Sequence, residues 1–118
     1  MSEAASRKHL MERAEILAGK LTARGVGRNQ VRTFLDSLAR GAGDWQARRL
    51  EAQDIARLAP TSWMRRRSSA TPDQLLAIRQ ELSPLLDGRL PEADVYFVLA
   101  WTARLLQVRE ARWLRKEG

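Results

Sequence analysis

Apolar residues recur along this chain at the three- and four-residue spacing of an α-helix, and polar residues fill the sectors between them. From Arg7 to Arg24 the apolar positions are Leu10, Ala14, Leu17 and Leu21, with Glu12, Arg13, Glu15 and Lys20 on the other sides. That spacing puts one face in a core and predicts an amphipathic helix. Gly25, Val26 and Gly27 break it. Asn29 then reads as the N-cap of a second helix whose stripe is Val31, Phe34, Leu35 and Leu38, ended by Gly41 and Gly43.

The middle of the chain is less regular. Trp45 to Ala59 reads as helical, with Trp45, Leu50, Ile55 and Leu58 unevenly spaced, and Pro60 stops simple continuation because it has no backbone N–H to donate. Thr61 or Ser62 would cap one further turn carrying Trp63 and Met64, and Ser68, Ser69 and Ala70 read as a connection. The next start signal is the sharpest in the chain. Thr71 stands at an N-cap position, Pro72 fits the first helical position, and Gln74 completes a capping box.

That fourth helix carries Leu75, Leu76, Ile78, Leu82, Leu85 and Leu86, with Pro84 tightening its last turn and Gly88 suited to a left-handed C-terminal position. Pro91 opens the last helix, with Glu92 and Asp94 where the helix dipole favours negative charge. From Val95 to Leu106 it is apolar almost all round, as expected of a central helix, whereas from Arg109 to Lys116 it turns basic and is expected to leave the core. No window alternates with period two over a strand's length. The expectation is an all-α fold, a single-domain bundle of about five helices over residues 1–118, with residues 1–6 and 117–118 as flexible ends.

Charge adds a candidate partner. The net charge of +7 comes almost wholly from arginine, since only Lys8, Lys20 and Lys116 are lysines. A guanidinium grips phosphate with two hydrogen bonds and stacks on a base, so this composition points to nucleic acid. The same composition also covers helices with solvated faces. The basic residues fall into three groups. Arg28 and Arg32, four apart, share one face at the start of the second helix, where backbone N–H groups already favour an anion, and read together as a phosphate clamp. Arg48 and Arg49 form a weaker group. Arg65, Arg66 and Arg67, flanked by Ser68 and Ser69, form the third, on an expected loop. Trp45 and Trp63 stand near these arginines and would either stack on an unpaired base or pack in the core; Trp101 reads as core.

Other chemistry is poorly served. There is no cysteine, and His9 is the single histidine, so thiolate chemistry and a two-histidine zinc site are excluded. The carboxylates lie scattered among arginines, and no serine sits in a nucleophile motif or beside a Walker glycine loop. The reading is therefore a protein with no catalytic residues, no metal and no cofactor. No apolar run follows the basic residues near Met1, and the longest uncharged stretch, Val95 to Ala103, is far short of the roughly 20 residues that span a bilayer. A cytoplasmic protein with no membrane partner is expected.

The stretch Gly25 to Leu35, reading G-V-G-R-N-Q-V-R-T-F-L, resembles the second-helix signature of the small helical subunit of type III-A CRISPR effector complexes, the Csm-type small subunit. Gln30, Val31, Arg32, Phe34 and Leu35 match its Ser/Thr-Gln-Ile-Arg-x-x-Leu type segment, with Asn29 where a hydroxyl residue is common. Leu58, Pro60, Trp63 and Arg67 fall in a segment like the family's L-x-P-x-x-aromatic-x-x-x-R stretch, with Trp63 in place of tyrosine. The last helix departs from the family's Ala-Tyr-His-like pattern, reading Tyr96-Phe97-Val98-Leu99-Ala100-Trp101.

The resemblance implies a non-catalytic RNA-binding structural subunit. It would be present in several copies as a filament, contacting guide RNA and target RNA through their backbone and binding other CRISPR effector subunits, without reading sequence. The competing class is a small helix-turn-helix DNA-binding regulator, with Gly25 to Arg40 or Leu90 to Arg115 as its unit. A scaffold with solvated arginines is the third.

Overall fold

The structure, a computed structural model, describes residues 3–41, 43–57 and 71–117. Five helices form among them: α1 (Glu3–Ala23), α2 (Arg28–Arg40), α3 (Trp45–Arg57), α4 (Pro72–Leu82) and α5 (Glu92–Glu117), with a 3₁₀ turn at Ser83–Leu86 directly after α4. The described residues contain no strand, so the all-α expectation holds. None of their helices is long and apolar enough to cross a membrane. The helix at the N-terminus starts at Glu3, before the Arg7 that apolar spacing marks. Leu58 and the segment of residues 59–70 lie outside the described residues, and with them the expected turn carrying Trp63.

α5 is the axis of the bundle. α1 and α2 both pack along it, while α3 lies against α4 and the 3₁₀ turn. The core is aliphatic: Leu21, Leu82, Leu86, Leu99 and Leu106 are fully buried, each worth about 1.5–3 kcal/mol on removal from water. Thr102 is buried among them and donates its hydroxyl to the Val98 carbonyl at 2.6 Å, which satisfies it without a partner from another helix.

α2 runs antiparallel to α5. The backbone N–H of Arg28, at the start of α2, donates to Glu110 Oε1 at 3.0 Å, near the far end of α5. At the other end, the Arg48 guanidinium donates both to the Leu38 carbonyl of α2 and to the Tyr96 hydroxyl, near the start of α5.

The N-cap of α2 is Gly27, two residues before Asn29. Gln30 Oε1 accepts the Gly27 N–H at 3.0 Å, and Glu110 supplies the acceptor for Arg28. The helix can therefore begin with no side chain at its N-cap position.

α4 starts as its sequence predicts. Thr71 Oγ1 accepts the Gln74 N–H at 3.2 Å and Gln74 Oε1 accepts the Thr71 N–H at 2.9 Å. Gln74 Nε2 also donates to the Gly25 carbonyl at 2.7 Å, tying this cap to the turn between α1 and α2. Gly88, with φ +95°, takes the left-handed position after the 3₁₀ turn.

Candidate nucleic-acid interface

The three arginine groups meet different fates. Arg28 and Arg32 lie one turn apart on α2, Arg32 exposed and Arg28 half-buried. Neither guanidinium forms an ion pair among the described residues. Thr33, Ser37 and Arg40 line a cleft of about 570 Å³ between α2 and α3. Arg28, Arg32 and Leu35 therefore occupy the flank of α2 turned away from that cleft. One of the backbone N–H groups expected to help, that of Arg28, is already taken. The anion at the N-terminus of α2 is the Glu110 carboxylate, so an approaching phosphate meets the guanidinium groups rather than the helix end.

Arg48 is turned inward, with only 14 % of its side chain exposed. Nη2 donates to Glu92 Oε2 and Nη1 to the Tyr96 hydroxyl, each at 2.6 Å. The Tyr96 hydroxyl in turn donates to Glu92 Oε2 at 2.9 Å. The hydrogen bond from Arg48, followed by that from Tyr96, holds the Glu92 carboxyl below the usual carboxylate value, and the same bond from Glu92 raises Arg48. Burial first, then the neighbouring carboxylate, pushes the Tyr96 phenol above 10.

Arg49 is also spent on the fold. Nη1 donates to the Leu86 carbonyl at 2.7 Å, closing the end of the 3₁₀ turn, and Nε and Nη2 donate to Gln46. Arg48 and Arg49 thus act as struts between helices, with most of their guanidinium nitrogens already hydrogen-bonded. Arg65, Arg66 and Arg67, with Trp63, lie outside the described residues.

Trp45 packs against the core, edge-on to Tyr96 with ring centroids 5.7 Å apart, and the Arg48 guanidinium stands 5.8 Å from its ring. Its packing is therefore part of the same junction. Trp101 also packs against the core, as expected. It is half-buried at the edge of the core rather than within it, with Phe97 tilted against it at 6.3 Å and the Arg104 guanidinium 5.0 Å above its ring. Val108, one turn beyond, is 47 % exposed.

A helix that is apolar on every side reads as wholly buried. α5 instead buries only the side carrying Val95, Val98, Leu99, Thr102, Ala103 and Leu106. The signal for an outward face was present in the spacing of Phe97, Trp101, Arg104 and Val108, four, three and four apart, which gathers them opposite the buried residues.

Arg109 lies across α1 at Gly19, its Nη1 3.8 Å from where a Cβ there would stand. The basic end of α5 therefore begins against α1. Compared with protein-family models, curated proteins and solved structures, the chain matches none.

Proposed function

We propose that this chain is a non-catalytic, RNA-binding structural subunit of a CRISPR ribonucleoprotein effector complex, contacting guide and target RNA through their phosphates without reading sequence. The observation that carries the reading is the Arg28–Arg32 pair. Two guanidinium groups without ion-pair partners among the described residues stand one turn apart on α2, within the segment whose Gln30, Val31, Arg32, Phe34 and Leu35 carry the family resemblance. Their spacing suits successive phosphates, which position a protein on a strand but carry no sequence information. The net charge of +7 adds a long-range attraction of the same sign.

The helix-turn-helix reading that uses Gly25 to Arg40 is disfavoured by Glu110. A recognition helix meets DNA with its N-terminal residues, and here a carboxylate occupies that end of α2.

The test is RNA binding across a salt series, with reconstitution alongside. Replacing both Arg28 and Arg32 by alanine should flatten the slope of log affinity against log salt by about 1.4, the value for two single-strand phosphates. The protein should join guide RNA and the larger CRISPR subunits in several copies, and labelled RNA and DNA should stay intact with Mg²⁺ or Mn²⁺. An unchanged slope, or a strong preference for one palindromic duplex, would sink the reading.

A further inference from the structure

The cleft between α2 and α3 is acidic in a chain that is otherwise basic. Its floor is apolar, made by Phe34, Leu38 and Ala52, all buried. Asp36 stands on the α2 wall and Glu51 on the α3 wall, both exposed, and neither carboxylate forms an ion pair among the described residues. Two arginines line it as well. Arg48 is neutralised by Glu92, which leaves Arg40 alone against two acids. A chain of net charge +7 thus holds a cleft of net negative charge, and its volume of about 570 Å³ is in the range that admits bulky groups rather than water alone.

The complement of this cleft lies in the same sequence. Beyond Glu110, α5 continues as helix through Glu117, and residues 111–117 read Ala-Arg-Trp-Leu-Arg-Lys-Glu, three cations and one acid with Trp113 and Leu114 among them. A basic helical end with two large apolar residues suits an apolar groove whose walls carry carboxylates.

The two do not meet within one molecule. Glu110 accepts the Arg28 N–H at the start of α2, and α2 runs antiparallel to α5. The residues after Glu110 therefore carry α5 about 10 Å further from the cleft, which is lined from residue 33 to residue 41 toward the other end of α2. Between molecules the same placement favours contact. Tail and cleft are different patches, so joining them is heterologous and leaves one free cleft and one free tail for further copies.

We propose that the cleft between α2 and α3 receives the C-terminal end of α5 from a second copy of this chain, its apolar residues on the floor and its cations against Asp36 and Glu51. The contact uses neither Arg28 nor Arg32, so it holds or fails separately from the RNA reading.

The test is sedimentation of the full chain without RNA, over a concentration series at low and high salt. Wild type should associate past the dimer as concentration rises, and less so in high salt. Asp36→Lys with Glu51→Lys, and separately Arg112→Glu with Arg115→Glu, should each weaken association about tenfold, because like charges then face each other. An equimolar mixture of the two variants should associate again, since each cleft then meets a tail of opposite charge. Urea unfolding checks that each variant is folded. Without any variant, the backbone amide signals of Ser37 and Glu51 in wild type should shift with concentration in NMR.

A wild type that stays monomeric at low salt, with still Ser37 and Glu51 signals, would overturn the proposal. A closed dimer that neither pair of substitutions weakens would do the same, as would a mixture that does not recover. Loss on cleft reversal alone would give the cleft to another segment and overturn the assignment of the tail. RNA binding that tail reversal removes, with no self-association of wild type, would assign the end of α5 to RNA instead.

Discussion

Arg48 donates to Glu92 across 2.6 Å, joining α3 to the first turn of α5 through a pair that also holds the Tyr96 hydroxyl. The guanidinium has a third acceptor in the Leu38 carbonyl, so one side chain links α2, α3 and α5. Removing either charge leaves the other in a half-buried site with a missing partner, where a lost charged hydrogen bond costs more than on open surface.

Stability should accordingly depend on Glu92 in acid. Its carboxyl is held below the ordinary 4.5 by Arg48 and Tyr96, so the contribution is full above that value and is lost as pH falls through the folded-state pKa. Urea unfolding of wild type and Glu92→Gln should show wild type more stable at neutral pH, with the gap closing in acid. A gap that stays constant with pH would mean that the charge pair contributes nothing.

Tyr96 is the single tyrosine, which makes its ionisation directly visible in the ultraviolet. Burial, then the Glu92 hydrogen bond, raises its pKa above 10, and Arg48 opposes them. The tyrosinate midpoint of the folded protein should thus lie above 10, fall in Glu92→Gln, and rise in Arg48→Met. Because the folded state holds this proton more tightly, the associated stability is present below 10 and is lost as pH rises through the folded value.

Glu110 caps a helix from a distance. Glu110→Ala should destabilise the fold by about 1 kcal/mol, as loss of an N-cap acceptor does, and raise amide exchange at Arg28. Gly27→Ala should reproduce part of that loss, because a Cβ there would stand 2.6 Å from Glu110 Oε1 and drive the carboxylate away. A double variant should be less destabilised than the sum of the two, since both remove one contact. Thermal unfolding and hydrogen exchange decide it.

Gln74 has two tasks where Thr71 has one. Thr71→Ala should lose a cap worth about 1 kcal/mol. Gln74→Ala removes the reciprocal half of the box and the bond to the Gly25 carbonyl, so it should cost more and loosen the turn between α1 and α2. Equal effects in urea unfolding would mean that the bond to Gly25 adds no stability.

Local chemistry along the chain was enough to determine that the fold is helical, where α4 begins, that Val31, Phe34 and Leu38 face the core, and where Gly88 ends a turn. Each of these depends on residues within one or two turns, and hydrophobic spacing or a capping pair declares them directly. The tertiary structure decided what distant residues do to one another. Glu110 moved the start of α2 from Asn29 back to Gly27, across 82 residues of sequence. Arg48 and Arg49 look the same as Arg32 in a list of charges, yet Glu92, Tyr96 and the Leu86 carbonyl turn the first two inward, while Arg32 stays in solvent. Trp101 and Val108 share one apolar pattern in α5, yet Trp101 is half-buried against the core while Val108 is largely exposed. Periodicity tells which residues share a face; only packing tells which of two apolar faces is covered.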